Sequence, residues 1–285
     1  MTELRIATRG SALARAQARQ VAEALESTHD GLTTRLVVVS TSGDRDRTSP
    51  VAALTETGAF VRAVQEAVLA GEADLAVHSC KDLPVAGPEE LTAWYPTRAP
   101  AGDVLVGGTL GELPEGAVVG TGSPRRTSQL ALLRPDLRIR GIRGNVDTRL
   151  AAVASGDIQA VVLAEAGLVR LGRSDAVAHR FGFDEMVPAP GQGTLAVEAR
   201  GGGFVAELLE ALDDPSTRVA TETERALLAL TGAGCRSALG AYAEVTADGV
   251  TLVAFVDDER GPRRGRVEAA EPDEAAKTMA EELGL

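Results

Sequence analysis

Ala117–Leu133, AVVGTGSPRRTSQLALL, runs from a short apolar strand through a glycine turn into a helix. Serine at 123 suits the N-cap and proline at 124 suits the first helical position, so the strand is expected over Ala117–Val119 and the helix over Ser123–Leu133. The alternation continues with a strand at Leu137–Arg140, a helix at Asn145–Ala154 and a strand at Ile158–Leu163. An equivalent block precedes it. Leu4–Ala7 reads as a strand, and a helix from about Ser11 places Leu13, Gln17, Val21, Ala24 and Leu25 on one face. A strand at Arg35–Val39 follows, then a helix buried through Phe60, Val64 and Val68 that stops at Gly71, then a strand at Ala73–Val77. Leu91–Tyr95 and Asp103–Val106 are strands on either side of a crossover. Repeated βαβ units imply a mainly parallel or mixed sheet with helices on both faces. Two such blocks predict two similar α/β domains facing each other across a cleft.

Met186–Gly193, MVPAPGQG, is rich in proline and glycine, and the strand Thr194–Glu198 follows it. It is expected to cross between domains and return the chain to the first. The C-terminal portion has a different pattern: a long helix (Arg218–Leu230), strands near Ala241–Val245, Val250–Val256 and Gly265–Ala269, and a last helix. That pattern predicts a small α+β domain whose first loop holds Cys235.

The 285 residues suffice for two or three domains, and a net charge of −12 argues against non-specific nucleic-acid binding. No apolar run is long enough to span a bilayer and Met1–Gly10 lacks a signal-peptide layout, so the expected compartment is the cytoplasm. Two distant cysteines form no disulfide framework, and His29, His78 and His179 show no metal-ligand spacing. The basic residues are almost all arginine; only Lys81 and Lys277 are lysine.

The arginines gather at strand ends. In GTGSPRR (Gly120–Arg126), the free N–H groups and dipole of a helix start combine with the hydroxyls of Thr121 and Ser123 and with Arg125 and Arg126 to suit an anion. The same residues also suit a solvated helix start with surface arginines. RGNVDTR repeats the arrangement, with Asn145 as N-cap, Arg143 before the helix and Arg149 one turn inside it. Arg9, in TRGS, follows the first strand. Such loops collect at the ligand-binding edge of open α/β sheets, and the guanidinium fork holds carboxylates bidentately, so a ligand bearing several carboxylates is expected. In HSCKDLP (His78–Pro84), Asp82 beside Lys81 suits an ionised carboxylate that stabilises a cation or passes a proton; it equally suits a turn aspartate. Cys235 sits in GAGCRS, where two glycines and Arg236 favour an exposed, reactive thiolate. The motif does not say what that thiol is bonded to.

Together these segments resemble the porphobilinogen deaminase family. The matching stretches are RIATRGSALARAQA from Arg5, ADLAVHSCKDLPV from Ala73, GTGSPRR, RGNVDTR, AEAGLVRLG from Ala164, PAPGQGTLAVE from Pro188 and TERALLALTGAGCRSALGAYAEV from Thr223. The resemblance implies two type II periplasmic-binding-protein-like α/β domains around a cleft plus a small C-terminal α+β domain. The boundaries are expected at 1–96 with 192–214, 97–191 and 215–285. It implies a cytoplasmic, monomeric transferase that joins four porphobilinogen units head to tail with loss of ammonia and releases hydroxymethylbilane by hydrolysis. It also implies a covalent dipyrromethane cofactor, held by a thioether on Cys235, and a catalytic role for Asp82. Cofactor and substrate carboxylates would fall to Arg9, Arg125, Arg126, Arg143 and Arg149. Ser11, Gln17, Asp44, Lys81, Thr121, Ser123, Arg170 and Gln192 match supporting positions.

The chain departs from the family pattern in three places. TETGAF (Thr55–Phe60) puts Thr57 where a lysine is common, TSGD (Thr41–Asp44) lacks an arginine, and RAPAGD (Arg98–Asp103) lacks the first acidic residue of DPRD. Two other functions compete. A non-catalytic polycarboxylate-binding protein of the same fold would give Cys235 no role. A cysteine hydrolase would need a histidine near the thiol, and none is close to it in sequence.

Overall fold

A computed structural model describes residues 2–39, 59–232 and 238–285. Asp44, Thr57 and Cys235 lie outside the described residues. In chain order the first elements are β1 (Thr2–Arg9), α1 (Ala12–Thr28), β2 (Leu32–Val39), α2 (Ala59–Leu69), β3 (Leu75–Ser79) and β4 (Leu91–Trp94). Next come β5 (Asp103–Val106), β6 (Val118–Gly120), α3 (Pro124–Leu133), β7 (Arg138–Arg140), α4 (Val146–Ala154), β8 (Ala160–Ala164), α5 (Glu165–Arg170) and β9 (His179–Arg180). The chain finishes with β10 (Leu195–Arg200), α6 (Gly203–Glu210), α7 (Pro215–Leu230), β11 (Gly240–Thr246), β12 (Gly249–Asp258), β13 (Gly261–Ala269) and α8 (Pro272–Leu283).

Two five-stranded sheets share one plan. The orders are β2-β1-β3-β10-β4 and β7-β6-β8-β5-β9. In each, the first strand of a βαβ run pairs in parallel with two neighbours, β1 with β2 and β3, β6 with β7 and β8. In each, the strand in fourth place is antiparallel to both its neighbours: β10 to β3 and β4, β5 to β8 and β9. That fourth strand is the one delivered by a connection from the other sheet, β4 to β5 in one direction and β9 to β10 in the other. This exchange of strands is the type II periplasmic-binding-protein plan, and it establishes the α/β fold class. The third sheet, β11-β12-β13, is an antiparallel meander covered by α8, which gives the small α+β C-terminal portion.

The chain packs as two compact units, residues 1–98 with 194–218 and residues 99–193 with 219–285. The first contains the β1 sheet; the second contains the β6 sheet and the C-terminal meander. Local chemistry sets the element boundaries. Ser11 accepts from the Ala14 N–H, Ser123 from the Arg126 N–H and Asn145 from the Thr148 N–H, so three N-caps start three helices at the ends of β1, β6 and β7. Helix α1 buries Gln17, Ala18, Val21, Ala22 and Leu25, so its inward face is centred on the small Ala18 and Ala22, while Leu13 and Ala24 are only half-buried. Gly71, at φ +72°, ends α2 as its left-handed residue. In the crossing before β10, Gly193 adopts φ +90°, and a methyl there would run into the carbonyl oxygen of Ala99. Among the described residues no helix is long and apolar enough to cross a membrane.

Candidate functional site

In the first unit the candidate residues stand at the C-terminal ends of β1 and β3. Arg9 closes β1, and its guanidinium lies 4.2 Å from the ring centroid of Phe60 on α2. Ser11 caps α1, and nearly two turns further in, the buried Gln17 Nε2 donates to Ser79 Oγ at 2.7 Å. This bond ties the helix to the last residue of β3. Beyond Ser79 the chain makes a single 3-10 turn, Cys80–Asp82. The turn is anchored from the backbone: Cys80 N–H donates to Thr194 O and Leu83 N–H to Cys80 O, both at 3.0 Å. The side chains of Cys80 and Leu83 are buried in an apolar cluster with Val61 and Tyr95. Those inward anchors leave Lys81 half-buried and Asp82 exposed at the strand end. The same strand carries a buried polar group that the sequence did not reveal. His78 Nε2 lies 3.2 Å from Glu198 Oε2, which also accepts from Gln65 Nε2 at 2.9 Å.

The second unit gathers its candidates around a carboxylate. Asp103, at the head of β5, is fully buried. Arg125 Nη1 donates to its Oδ2 at 2.7 Å, Arg126 donates to its Oδ1 from Nε at 3.1 Å and Nη2 at 2.6 Å, and Gln192 Nε2 donates to Oδ1 at 2.8 Å. Arg125 and Arg126 are themselves only 3% and 6% exposed. They also donate to backbone carbonyls, Arg125 to Val187 at 2.6 Å and Arg126 to Val162 at 3.1 Å. Burial works to raise the Asp103 carboxyl, but the two adjacent guanidinium charges and their hydrogen bonds outweigh it and hold the group well below the usual carboxylate range. Arg149, held to Gly144 O at 3.0 Å, has its pKa lowered by burial and then by the charge of Arg126. Two guanidinium groups therefore share one carboxylate, a third, that of Arg149, feels the charge of Arg126, and the field at this edge is positive despite the chain's −12.

Around this core, Thr121 is buried and its Oγ1 accepts from Ser123 N–H at 3.2 Å. Arg143 is exposed three residues after β7. Arg170 donates from Nη2 to Gly193 O at 2.7 Å, and burial pushes its pKa down to about 10, so it stays cationic at neutral pH. The Nε atoms of Arg125 and Arg170 are buried and meet no acceptor among the described residues. Two buried donors of this kind at a positive edge fit a group that brings carboxylates. At the start of α3 an open cavity of about 560 Å³ is lined by Thr121, Gly122 and Ser123 together with Ala238 and Asp257.

Three residues at the site were not among those expected from sequence: Asp103, Glu198 and Glu224. The signals for Asp103 are a charge opening an otherwise apolar strand, DVLV, and its place as the acid that ends RAPAGD. Glu224 is completely buried on α7 and accepts from Gly191 N–H at 2.6 Å and Ala243 N–H at 2.8 Å.

Comparison with known proteins gives a consistent result. Residues 4–205 match the family model described as "Porphobilinogen deaminase, dipyromethane cofactor binding domain", and residues 219–285 match "Porphobilinogen deaminase, C-terminal domain". The chain is 49% identical over 270 residues to a porphobilinogen deaminase of Acidothermus cellulolyticus, covering 92% of this chain and 81% of the relative. It is 44% identical over 290 residues to one of Roseiflexus castenholzii, covering 98% and 95%. Among solved structures it is similar to the substrate binding domain of a putative molybdenum ABC transporter from Clostridium difficile, at 13% identity and TM-score 0.45, covering 76% of this chain and 94% of that one.

Proposed function

The chain belongs to the porphobilinogen deaminase family, transferases of tetrapyrrole biosynthesis, and on that premise we propose how its own residues divide the work. Porphobilinogen is the substrate. Four units are condensed head to tail with loss of ammonia, and the linear hydroxymethylbilane is released by hydrolysis. A dipyrromethane cofactor is held through a thioether on Cys235 and supplies the nucleophilic pyrrole end to which units are added. With both family models naming deaminase domains over most of the chain, a non-catalytic binding protein is not favoured.

The observation that supports this division most is the cavity beside the arginine core. Ala238, which lines it, is the first described residue after the segment that contains Cys235. Three residues of chain reach at most about 11 Å, so a group tethered to Cys235 stays within range of the Thr121–Ser123 helix start. The Arg125 N–H of that start, the hydroxyls of Thr121 and Ser123, and Arg143, Arg149 and Arg170 bind acetate and propionate carboxylates. Arg125 and Arg126 are pinned by Asp103 and supply positive charge at fixed positions, so little reorganisation is needed when a carboxylate arrives. In the first unit, Arg9, Ser11, Gln17, Asp44 and Lys81 serve the incoming porphobilinogen. Asp82, exposed at the strand end, stabilises the cation left when ammonia departs and passes the protons. Gln192 holds Asp103 and the crossing segment in register. The enzyme works as a monomer in the cytoplasm, with no nucleic-acid partner.

Incubation of the purified protein with porphobilinogen tests the activity. Four ammonia molecules are expected for every linear tetrapyrrole, read by enzymatic ammonia assay and by porphyrin absorbance after acid cyclisation and oxidation. Binding of porphobilinogen without ammonia release would refute it.

A further inference from the structure

Glu224 is a carboxylate with no exposed surface, and its two oxygens accept from the backbones of two different segments. It stands on α7, the helix that leads into the segment holding Cys235. Ala243, whose N–H it accepts, is on β11, the strand that leads out of that segment. Gly191, whose N–H it accepts with the other oxygen, adjoins Gln192, which donates to Asp103, the carboxylate pinning Arg125 and Arg126. A neighbouring backbone bond, Ala241 N–H to Pro188 O at 2.9 Å, joins β11 to the same crossing segment. One buried side chain thus links the entry and the exit of the cysteine segment to the support of the arginine core. A carboxylate is a fitting partner for two N–H donors that have no water to turn to, because each of its oxygens can accept one of them.

We propose that Glu224 is a positioning residue that sets the register of the Cys235 segment against the arginine core, so that the tethered primer meets its carboxylate partners in a productive place. It acts through the backbone N–H groups of Gly191 and Ala243. The proposal rests on Cys235 being the tether.

The isosteric Glu224→Gln keeps one accepting oxygen but turns an amide NH2 toward the other N–H, so one donor loses its partner at nearly constant volume. Glu224→Ala removes both acceptors. Val250→Ala, in the core of the same C-terminal sheet, is a control that loses packing alone. Three quantities are read on each full-length protein: the denaturation midpoint, the fraction carrying the primer by intact mass, and kcat per primer-bearing chain. Misplacement of reacting groups by about 1 Å costs on the order of 100-fold in rate, and a loss of that size per loaded chain is expected for Glu224→Gln and Glu224→Ala, with fewer chains loaded. Val250→Ala should load fully and turn over like wild type despite a lower midpoint. Glu224→Gln or Glu224→Ala that loads and turns over like Val250→Ala would overturn the proposal while leaving the tether intact. A wild-type chain without any adduct would instead overturn the tether, and the role of Glu224 with it.

Discussion

Asp82→Asn is expected to leave the protein folded and loaded with primer yet slow turnover by about 10²–10⁴-fold, the range over which one positioned proton-transfer group contributes. The structure separates the two effects. The 3-10 turn at Cys80–Asp82 is held by backbone bonds from Cys80 and Leu83 and by their buried side chains, and the Asp82 side chain is exposed. Asparagine can therefore occupy the same place without disturbing that anchorage, and what disappears is the negative charge and the proton-accepting capacity. A cation developing at the methylene carbon as ammonia leaves would lose its counter-charge, so the loss should fall on kcat, with KM for porphobilinogen little changed. Steady-state kinetics alongside intact mass check this. Near-normal kcat in a loaded Asp82→Asn protein would remove Asp82 from the mechanism.

Asp103→Ala should produce the largest loss of stability, about 3–5 kcal/mol, the cost of leaving buried charge uncompensated. Arg125 and Arg126, both almost fully buried, would face each other without the carboxylate that both now contact. Gln192 would lose one acceptor but keep its bond to Ala101 O at 2.8 Å. Urea denaturation of the variant and wild type measures the loss. The pH dependence has a definite sign. The folded-state pKa of Asp103 is depressed, so its stabilisation is fully present above the unfolded-state value of about 3.9 and is lost only as pH falls through the lower folded-state value. Wild type should thus show an extra loss of stability on the acid side of about pH 4 that Asp103→Ala lacks. A variant as stable as wild type would mean that the two arginines find other partners.

Much of the architecture was legible because short-range chemistry decided it. Ser11, Ser123 and Asn145 marked three helix starts, Pro124 fixed one of them at its first position, and MVPAPGQG marked the crossing whose return strand, β10, indeed joins the first sheet. The repeated βαβ pattern became two sheets of one strand order. Short elements with weak periodicity escaped: Glu165–Arg170 is under two turns long, β9 has two residues, and Gly202–Gly203 obscured the helix that starts there.

At the site, residue types were legible and partnerships were not. Nothing near Arg125 and Arg126 in sequence shows that their closest carboxylate sits 22 and 23 positions earlier, at the head of a strand. Glu224 was read only as part of a family stretch, because the backbone donors that define it come from segments 33 residues before and 19 after. Burial and long-range pairing are products of the folded chain, and a single sequence holds no local mark of them.

Intact-protein mass spectrometry of the purified chain and of Cys235→Ser bears most directly on the covalent tether. The expected result is a wild-type mass exceeding that of the bare sequence by two linked pyrrole units, with the excess absent and turnover abolished in Cys235→Ser. An unmodified wild-type mass in a preparation that converts porphobilinogen to hydroxymethylbilane would contradict it.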